Sequence, residues 1–408
     1  MRLDRRSLTL LCSMWLAWAA ILIGFQSLVE ARMEPKRPDY ALEWTPRETG
    51  RTSQHDKPYL IEPFMNRHVS WDSEFYLSIA VVGYDDPAVR LVQLPGQRPL
   101  SMNYAFFPLY PLIMRAVGLP VKALFALNDI ATATLAGVIV ALLGTLGGMI
   151  ALYDLVRDEL GEDGGLRTAF YLLIFPSGFF LAQVYAEGLF IALAFGSLAL
   201  AARGRLTWAA ILAGLAVWAR STGVLLLIPL TLAWFRQLRH QPSVNGRALA
   251  RGSVLLIPAL AFALWWLALG DQFHLVEDNW FGRSLTDWER TRQGWQKAIE
   301  SLRSADTVSQ MRVYYALEFA ALGLALIACL LTLRRYPGPA LFGLAVLAVT
   351  AFSGAPQSLI RYVLMVPSLF IQAGRLGRSV VFDRAWTTAS LLLMGLLVTL
   401  FTFDMWVA

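Results

Sequence analysis

The stretch LTLLCSMWLAWAAILIGF, residues 8–25, contains no charged side chain in 18 positions. An α-helix needs roughly 20 apolar residues to cross the hydrocarbon core of a bilayer. Comparable runs recur, for example ALEFAALGLALIACLLTL at residues 316–333, and 57% of the 408 residues are hydrophobic while only 16% are charged. Soluble domains carry about 25% charged residues. The sequence therefore predicts an all-α, polytopic membrane protein with one membrane-embedded domain over residues 1–408, because the runs lack the alternation of a β-barrel.

The first apolar run, Ser7 to Val29, follows the basic segment MRLDRR and has two interpretations. A secretory signal peptide would have a shorter apolar region and a cleavage site with small residues. This run is too long for that pattern, and no such site follows it. We expect it to be retained as the first span.

Charge places the loops of this chain relative to the membrane. The net charge is +6, but the basic residues fall in short loops, and the positive-inside rule assigns such loops to the cytoplasm. The positive net charge therefore does not imply nucleic-acid binding. The arginines of the first six residues place the N-terminus inside. Cys12 and Cys329 both lie in apolar runs, so no disulfide is expected.

Alternation of loops predicts eleven spans and an extracytoplasmic C-terminus. Residues 30–121 and 271–311 form two long extracytoplasmic loops, and the proline-containing segment 104–120 lies along the outer interface. The two short spans between residues 206 and 235 have the alternative of a re-entrant hairpin. The expected location is the plasma membrane of a prokaryote. The predicted spans are 7–29, 122–153, 166–183, 186–202, 206–220, 222–235, 253–270, 312–333, 339–353, 358–375 and 385–405.

The first long loop carries an acidic and aromatic cluster, WDSEFYLSIAVVGY at residues 71–84, close to the membrane. Charged residues near a bilayer are costly unless they serve a site. With FFPLYPLI (106–113), this cluster resembles the PIG-V type mannosyltransferases and their prokaryotic relatives, within the GT-C superfamily. The resemblance continues, in the expected order, through FPSGFFLAQVYAEGLF (175–190), GLAVWARSTGVLLLIP (214–229), GDQFHLVEDNWFGR (270–283) and SLIRYVLMVPSLF (358–370).

The resemblance implies inverting transfer of a hexose from a polyprenyl-phosphate donor on the extracytoplasmic face, with mannose as the favoured hexose. The acceptor would be a lipid-linked or cell-envelope glycan, and membrane lipids would surround the enzyme. A phosphate leaves readily, so the reaction needs one base and a cationic group but no general acid, unlike the two-carboxylate glycosidases. The base implied by the resemblance is Asp72 of the Trp71–Asp72 pair.

Each candidate residue of the first loop also has a structural interpretation. Asp72 precedes a plausible helix, Ser73 to Val82, and its carboxylate could cap that helix. Glu74 either binds substrate or is an acid favoured in a first helical turn. Trp71 and Tyr76 either stack on sugar or belong to an interfacial aromatic belt.

Three further candidate residues lie at the predicted outer ends of spans. Glu187 either orients the sugar or acceptor, or is favoured in the first turn of its helix. Arg220 and Arg361 stand where topology does not favour positive charge, so snorkelling is one interpretation. The other is a phosphate clamp, because a planar guanidinium matches phosphate oxygens in a bidentate manner.

Metal binding has little support in the sequence, and we expect no cofactor. The four histidines, His55, His68, His240 and His274, show no zinc-binding spacing. Asp85 and Asp86 could join Asp72 around a divalent cation, although paired acids before a proline more often form a turn.

A transporter or flippase of a polar lipid or glycan is the alternative function. Such proteins often show inverted repeats and broken helices at mid-membrane, whereas here the polar residues gather at one face and no repeat is visible. Convergence of Asp72, Arg220 and Arg361 favours transfer, and a line of polar groups through the bilayer favours transport.

Overall fold

The computed structural model describes residues 4–50, 57–94, 96, 98–239, 246 and 251–408. These residues are mostly helical, which confirms the predicted fold class. One short antiparallel ladder, β1 (Leu91–Val92) with β2 (Leu100–Ser101), lies in the first long loop and was not predicted. The α-helices are α1 Arg5–Arg32, α2 Thr45–Glu48, α3 Ser73–Val81, α4 Leu109–Phe125, α5 Asp129–Leu173, α6 Glu187–Ala202, α7 Leu206–Ala219, α8 Leu227–Arg239, α9 Leu256–Val276, α10 Trp288–Arg303, α11 Ser309–Thr332, α12 Pro337–Phe352, α13 Leu359–Tyr362, α14 Pro367–Leu376 and α15 Val380–Thr402.

Within the described ranges, six helical segments are long and apolar enough to cross a membrane, and a bent pair, Leu359–Met365 with Pro367–Leu376, would make a seventh. The bend in that pair is 80°. Helices α6, α7 and α12 are apolar but shorter. The protein is therefore a multi-pass membrane protein. The six long segments are Arg5–Arg32, Asp129–Leu173, Ser221–Arg239, Arg251–Phe281, Ser309–Thr332 and Val380–Thr402.

The region of the second and third predicted spans differs from expectation. The segment α5 comprises two helices that meet at Gly161, within the predicted polar loop 154–167, and the φ of +75° at this residue is a conformation that glycine adopts without steric cost. The helix then ends at Leu173, and Pro176 cannot continue it. The 3₁₀ turn Gly178–Ala182 follows, so the predicted span 166–183 is not one continuous α-helix.

The two long loops also contain more helix than their predicted bounds imply. Helix α9 continues to Val276 and is followed by a π-helical turn, Glu277–Phe281, so the second loop begins about ten residues later than residue 271. In the first loop, α4 covers the predicted interfacial segment. Its inward face buries residues at helical spacing, while Leu112 and Leu119 remain exposed. The predicted basic loop 235–252 lies largely outside the described residues.

Loops predicted to be cytoplasmic meet at one end of the molecule. Arg203 forms an ion pair with Asp154 at 3.2 Å, and Arg335 forms one with Glu159 at 2.7 Å. Arg375 also pairs with Glu159. These contacts join four of the predicted cytoplasmic segments.

Loops predicted to be extracytoplasmic meet at the opposite end of α1. Near the start of α1, Tyr153 donates to Ser7 Oγ at 2.8 Å, whereas near its end Gln26 donates to the Arg67 carbonyl at 2.9 Å. A 28-residue helix is about 42 Å long. The two groups of loops are thus separated by about the thickness of a bilayer.

Candidate active site

The backbone around Asp72 turns sharply before α3 begins. Trp71 has a φ of +50°, an uncommon value for a bulky residue. Asp72 donates its backbone N–H to the Tyr185 hydroxyl at 3.3 Å, and that hydroxyl donates to the Ser70 carbonyl at 3.0 Å. The first loop is thereby anchored to the segment that precedes α6.

The Asp72 carboxylate does not cap α3. Its side chain makes no capping hydrogen bond, which rules out the capping interpretation. Instead, Arg361 Nη1 donates to Asp72 Oδ2 at 2.6 Å. The Asp72 side chain keeps 22% of its surface exposed, whereas that of Arg361 keeps 6%, so the acid is the accessible member of the pair.

Glu187 joins the two arginines predicted to act together. Its Oε1 accepts from Arg220 Nη1 and lies 3.6 Å from Arg361 Nε, and its side chain is 1% exposed. The backbones of α5 and α6 touch beside it, because a Cβ on Gly188 would lie 2.2 Å from the Ala141 carbonyl oxygen. Small residues permit such approach between apolar helices. Carboxylate and guanidinium groups thus alternate in the order Asp72, Arg361, Glu187 and Arg220.

Sequence reasoning did not single out Tyr362 and Arg283, although both lie in quoted motifs. The guanidinium carbons of Arg220, Arg283 and Arg361 lie 5.3, 5.2 and 5.4 Å from the centre of the Tyr362 ring. Arg283 Nη1 also donates to the Tyr362 hydroxyl. Three guanidinium groups from three segments therefore surround one aromatic ring, and such cation–π contacts are favourable where water is excluded.

Glu318 was also missed, and it supports the turn that carries Arg361. This buried acid in the middle of α11 accepts the Ile360 N–H at 2.8 Å, and the Tyr314 hydroxyl accepts the Ser358 N–H at 3.1 Å. The available signal was the acid itself, since a carboxylate within an apolar helix is costly without a role.

Tyr76 lies within the aromatic wall of the site. Its ring is 5.0 Å from that of Tyr110 and 6.4 Å from that of Tyr185, and burial raises the pKa of its hydroxyl above the ordinary value. It is buried on α3 rather than placed in an exposed belt. The charges of Arg220 and Arg361 act on it.

Glu74 and Trp71 face a different neighbourhood. Burial raises the pKa of Glu74 to about 7, and the nearby charges that act on it are those of Arg90, Lys57, Asp404 and Glu48 rather than those of the arginine cluster. The Lys57 ammonium lies 4.4 Å from the centre of the Trp71 ring. One face of that ring is thus already occupied.

The acids proposed for a cation have other partners. Asp86 accepts from Ser78 Oγ at 2.7 Å and from the Ala88 N–H at 2.9 Å, and Asp85 accepts from the Tyr104 hydroxyl at 2.8 Å. Asp86 therefore forms the turn that the following proline suggested. Across the described ranges, no group of three or more His, Cys, Asp or Glu side chains is placed to hold a metal ion. Two of the four histidines, His55 and His240, lie outside those ranges.

A pocket of about 290 Å³ opens beside Arg283. Its walls come from the second long loop and from the segment before α13. Five of the nine lining residues are polar or basic, and the lining comprises Phe281, Gly282, Arg283, Arg290, Gln293, Gly294, Lys297, Ala355 and Gln357.

Comparison with solved structures found distant similarity. ArnT from Cupriavidus metallidurans, bound to undecaprenyl phosphate, is 12% identical, and the match covers 86% of this chain and 75% of that one with a TM-score of 0.47. The apo oligosaccharyltransferase of Archaeoglobus fulgidus is 11% identical, and the match covers 98% of this chain and 56% of that one with a TM-score of 0.45. This chain thus spans little more than half the length of the oligosaccharyltransferase.

Sequence comparison identifies the family. No curated protein shows a significant match to this chain. The sequence model of the family described as Mannosyltransferase (PIG-V), however, matches residues 25–240, just over half of the 408 residues. The matched region contains Asp72, Glu187 and Arg220. The chain therefore belongs to the PIG-V mannosyltransferase family of glycosyltransferases.

Proposed function

We propose that this protein is an inverting glycosyltransferase that moves a hexose from a polyprenyl-phosphate donor to a lipid-linked or cell-envelope acceptor, with mannose as the favoured hexose. The reaction takes place on the extracytoplasmic face of a prokaryotic plasma membrane. The observation that carries the proposal is the 2.6 Å contact between Asp72 and Arg361, within a cluster that also gathers Glu187 and Arg220. These side chains converge at one end of the molecule, which favours transfer over transport.

Asp72 takes the proton from the acceptor hydroxyl. The acceptor oxygen then forms a bond to the anomeric carbon from the side opposite the phosphate, and the bond between that carbon and the phosphate oxygen breaks. The electron pair leaves with the polyprenyl phosphate. Single displacement of this kind inverts the anomeric configuration, and the products are the glycosylated acceptor and polyprenyl phosphate.

Arg361 and Arg220 stabilise the charge that develops on the departing phosphate, and Arg283 is the third cation placed to contribute. In the absence of substrate, Asp72 and Glu187 pair with Arg361 and Arg220. A bound phosphate competes with the acids for the guanidinium groups, which frees the Asp72 carboxylate for the acceptor. The pocket beside Arg283 provides room for the acceptor head group.

The decisive experiment incubates the purified protein in lipid with labelled polyprenyl-phosphate hexoses and membrane-extracted acceptors, followed by identification of the labelled product. Asp72→Asn should keep expression and donor binding but lose transfer by about 10²–10⁴-fold, the usual contribution of a general base. Transfer at the wild-type rate by Asp72→Asn would rule out the base. Movement of the donor across the bilayer without a new covalent product would favour the transporter.

A further inference from the structure

The segment 403–408, which follows α15, packs against Ser70 and Trp71, the two residues before Asp72. Asp404 lies there almost completely buried, with a φ of +53°. Its Oδ2 accepts from Lys57 Nζ at 2.9 Å, and its Oδ1 accepts from Ser70 Oγ at 2.8 Å. The side chains of Lys57 and Asp404 are only 2% and 4% exposed, so this is a buried ion pair.

The same segment holds the Trp71 side chain. Trp71 Nε1 donates to the Met405 carbonyl at 3.0 Å, and the Trp406 ring packs edge-on at 4.9 Å. The Lys57 ammonium lies 4.4 Å from the centre of the Trp71 ring. Three consecutive residues of the first loop thus contact two different parts of the protein. Ser70 and Trp71 bind the segment 403–408, and Asp72 faces Arg361.

The backbone conformation of Trp71 allows its own side chain to contact the segment 403–408 while the next side chain, that of Asp72, contacts Arg361. At a φ of +50°, a residue with a Cβ is in an unfavourable conformation, which persists only where its surroundings enforce it. Relaxation of Trp71 to an extended conformation would rotate the next residue and move the Asp72 carboxylate away from Arg361. The contacts made by Lys57 and the segment 403–408 oppose this relaxation from the side chain of Trp71. On the backbone, they are joined by the Tyr185 hydroxyl, which bonds to Ser70 and Asp72, and by the Ser73 N–H, which donates to the Ser70 carbonyl at 3.1 Å.

We propose that Asp404 is a positioning residue for the catalytic base. Acting through Lys57 and Ser70, it fixes Trp71 in its left-handed conformation and thereby aims Asp72 at the acceptor hydroxyl. The proposal rests on the proposed function, since it assumes that Asp72 is the base. It also assigns Trp71 a role in orientation rather than in sugar stacking.

The first test replaces both members of the buried pair with apolar residues of similar size, Lys57→Met with Asp404→Leu. Removing both charges avoids the isolated buried charge that a single substitution would leave. We expect kcat for transfer to fall by about 10-fold or more, while KM for the polyprenyl-phosphate hexose stays within about 3-fold, because the arginines are untouched. The control at the opposite end of the molecule is Arg203→Met with Asp154→Leu, which leaves Arg157 and Asp158 to pair with each other, and its kcat should stay within about 2-fold of the wild-type value.

The second test uses the conformation of residue 71 itself. Glycine adopts a positive φ without cost and alanine does not, so Trp71→Gly should retain a higher kcat than Trp71→Ala. If Trp71 only stacks on the sugar, KM should rise equally in the two variants. If Trp71 only packs against its neighbours, Trp71→Gly should have the lower kcat of the two. Thermal unfolding and monodispersity in detergent verify that each variant is folded.

The outcomes separate this proposal from the one on which it rests. A wild-type protein that transfers no hexose from a polyprenyl-phosphate donor would overturn the proposed function, and the positioning role with it. An active wild type with unchanged kcat in Lys57→Met with Asp404→Leu would overturn the positioning role alone. The positioning role would also be overturned if Trp71→Gly were no more active than Trp71→Ala.

Discussion

Arg361 shows how one side chain can connect the two halves of the proposed reaction. It lies between the Asp72 and Glu187 carboxylates, and its guanidinium is stacked near the rings of Phe180, Tyr185 and Tyr362. A compact ammonium could not make the same flat, two-sided set of contacts. Snorkelling does not describe this residue, because its side chain points into the protein and is 6% exposed.

Substitution of Arg361 by lysine should therefore weaken the use of the donor more than substitution of Arg220 does. Lysine keeps the charge but loses the planar fork, and loss of one such contact to the developing phosphate dianion costs on the order of 2–4 kcal/mol in the transition state. We expect kcat/KM for the donor to fall by about 30- to 10³-fold in Arg361→Lys, with a smaller fall in Arg220→Lys. Arg203→Lys, far from the site, is the control. Unchanged donor kinetics in both test variants would remove the arginines from the mechanism.

His68 gives the protein a stability that depends on pH. The ring is buried, its Nδ1 lies 3.1 Å from Gln183 Oε1, and burial lowers its pKa to about 4. In the unfolded chain the His68 imidazole has its ordinary pKa of 6.5, so it binds a proton more readily there than in the folded protein. The contribution of His68 to stability is fully present above pH 6.5 and is lost as the pH falls from 6.5 towards 4.

At pH 5 the loss should be roughly 2 kcal/mol relative to pH 7.5. The measurement is the Tm of the detergent-solubilised protein at both pH values. His68→Gln keeps a polar partner for Gln183 but cannot titrate, so its Tm should change less between the two pH values. His274→Gln is the matched control, because His274 is 52% exposed. Equal pH dependence in wild type and His68→Gln would contradict this account.

At the scale of elements, the contact between α5 and α6 determines where Glu187 lies. A Cβ on Gly144 would come within 2.6 Å of the Gly188 backbone, and a Cβ on Gly188 would come still closer to α5. In both cases the nearest atoms belong to the backbone of the neighbouring helix, which cannot move aside as a side chain can. The two helices are therefore as close as their backbones allow, and Glu187 begins α6 at this point.

Gly188→Ala should separate the two helices and displace Glu187 from the arginines. Overpacking of this kind typically costs about 1–3 kcal/mol, so we expect a lower Tm in detergent and a lower rate of transfer. Gly323→Ala in α11 is the matched control, since a Cβ there meets nothing within 4 Å. An unchanged Tm and rate in Gly188→Ala would show that the contact does not position the site.

At the scale of the whole molecule, the two ends carry different groups of loops. We predict that the end with Asp72 is extracytoplasmic and that the end with Asp154 is cytoplasmic. The test uses a protein without its two cysteines, in which either Glu34→Cys or Glu162→Cys supplies one exposed thiol. A membrane-impermeant maleimide applied to intact cells should label Glu34→Cys but not Glu162→Cys, and both should react after permeabilisation. The reverse pattern would invert the proposed topology.

Much of the architecture could be predicted from the sequence because the bilayer imposes it. Apolar runs of sufficient length must form helices that satisfy their own backbone hydrogen bonds, and α1, α9, α11 and α15 lie close to their predicted ranges. The helix after Asp72 also begins where it was predicted. The extension of the first helix of α5 as far as Gly161 was not foreseen, because polar residues such as Asp154 and Arg157 suggested a loop, whereas they continue the helix beyond its apolar part and form ion pairs.

The sequence by itself determined that the chain is a multi-pass helical protein, and its motifs marked Asp72, Glu187, Arg220 and Arg361 as candidates. Only the tertiary structure decided which side chains share a site. Asp72 and Arg361 are 289 positions apart, and no local pattern records that their side chains meet at 2.6 Å. The same holds for Arg283 with Tyr362 and for Lys57 with Asp404. Periodicity and hydrophobicity report how a segment meets lipid, whereas an ion pair between distant segments depends on the packing of all the helices between them.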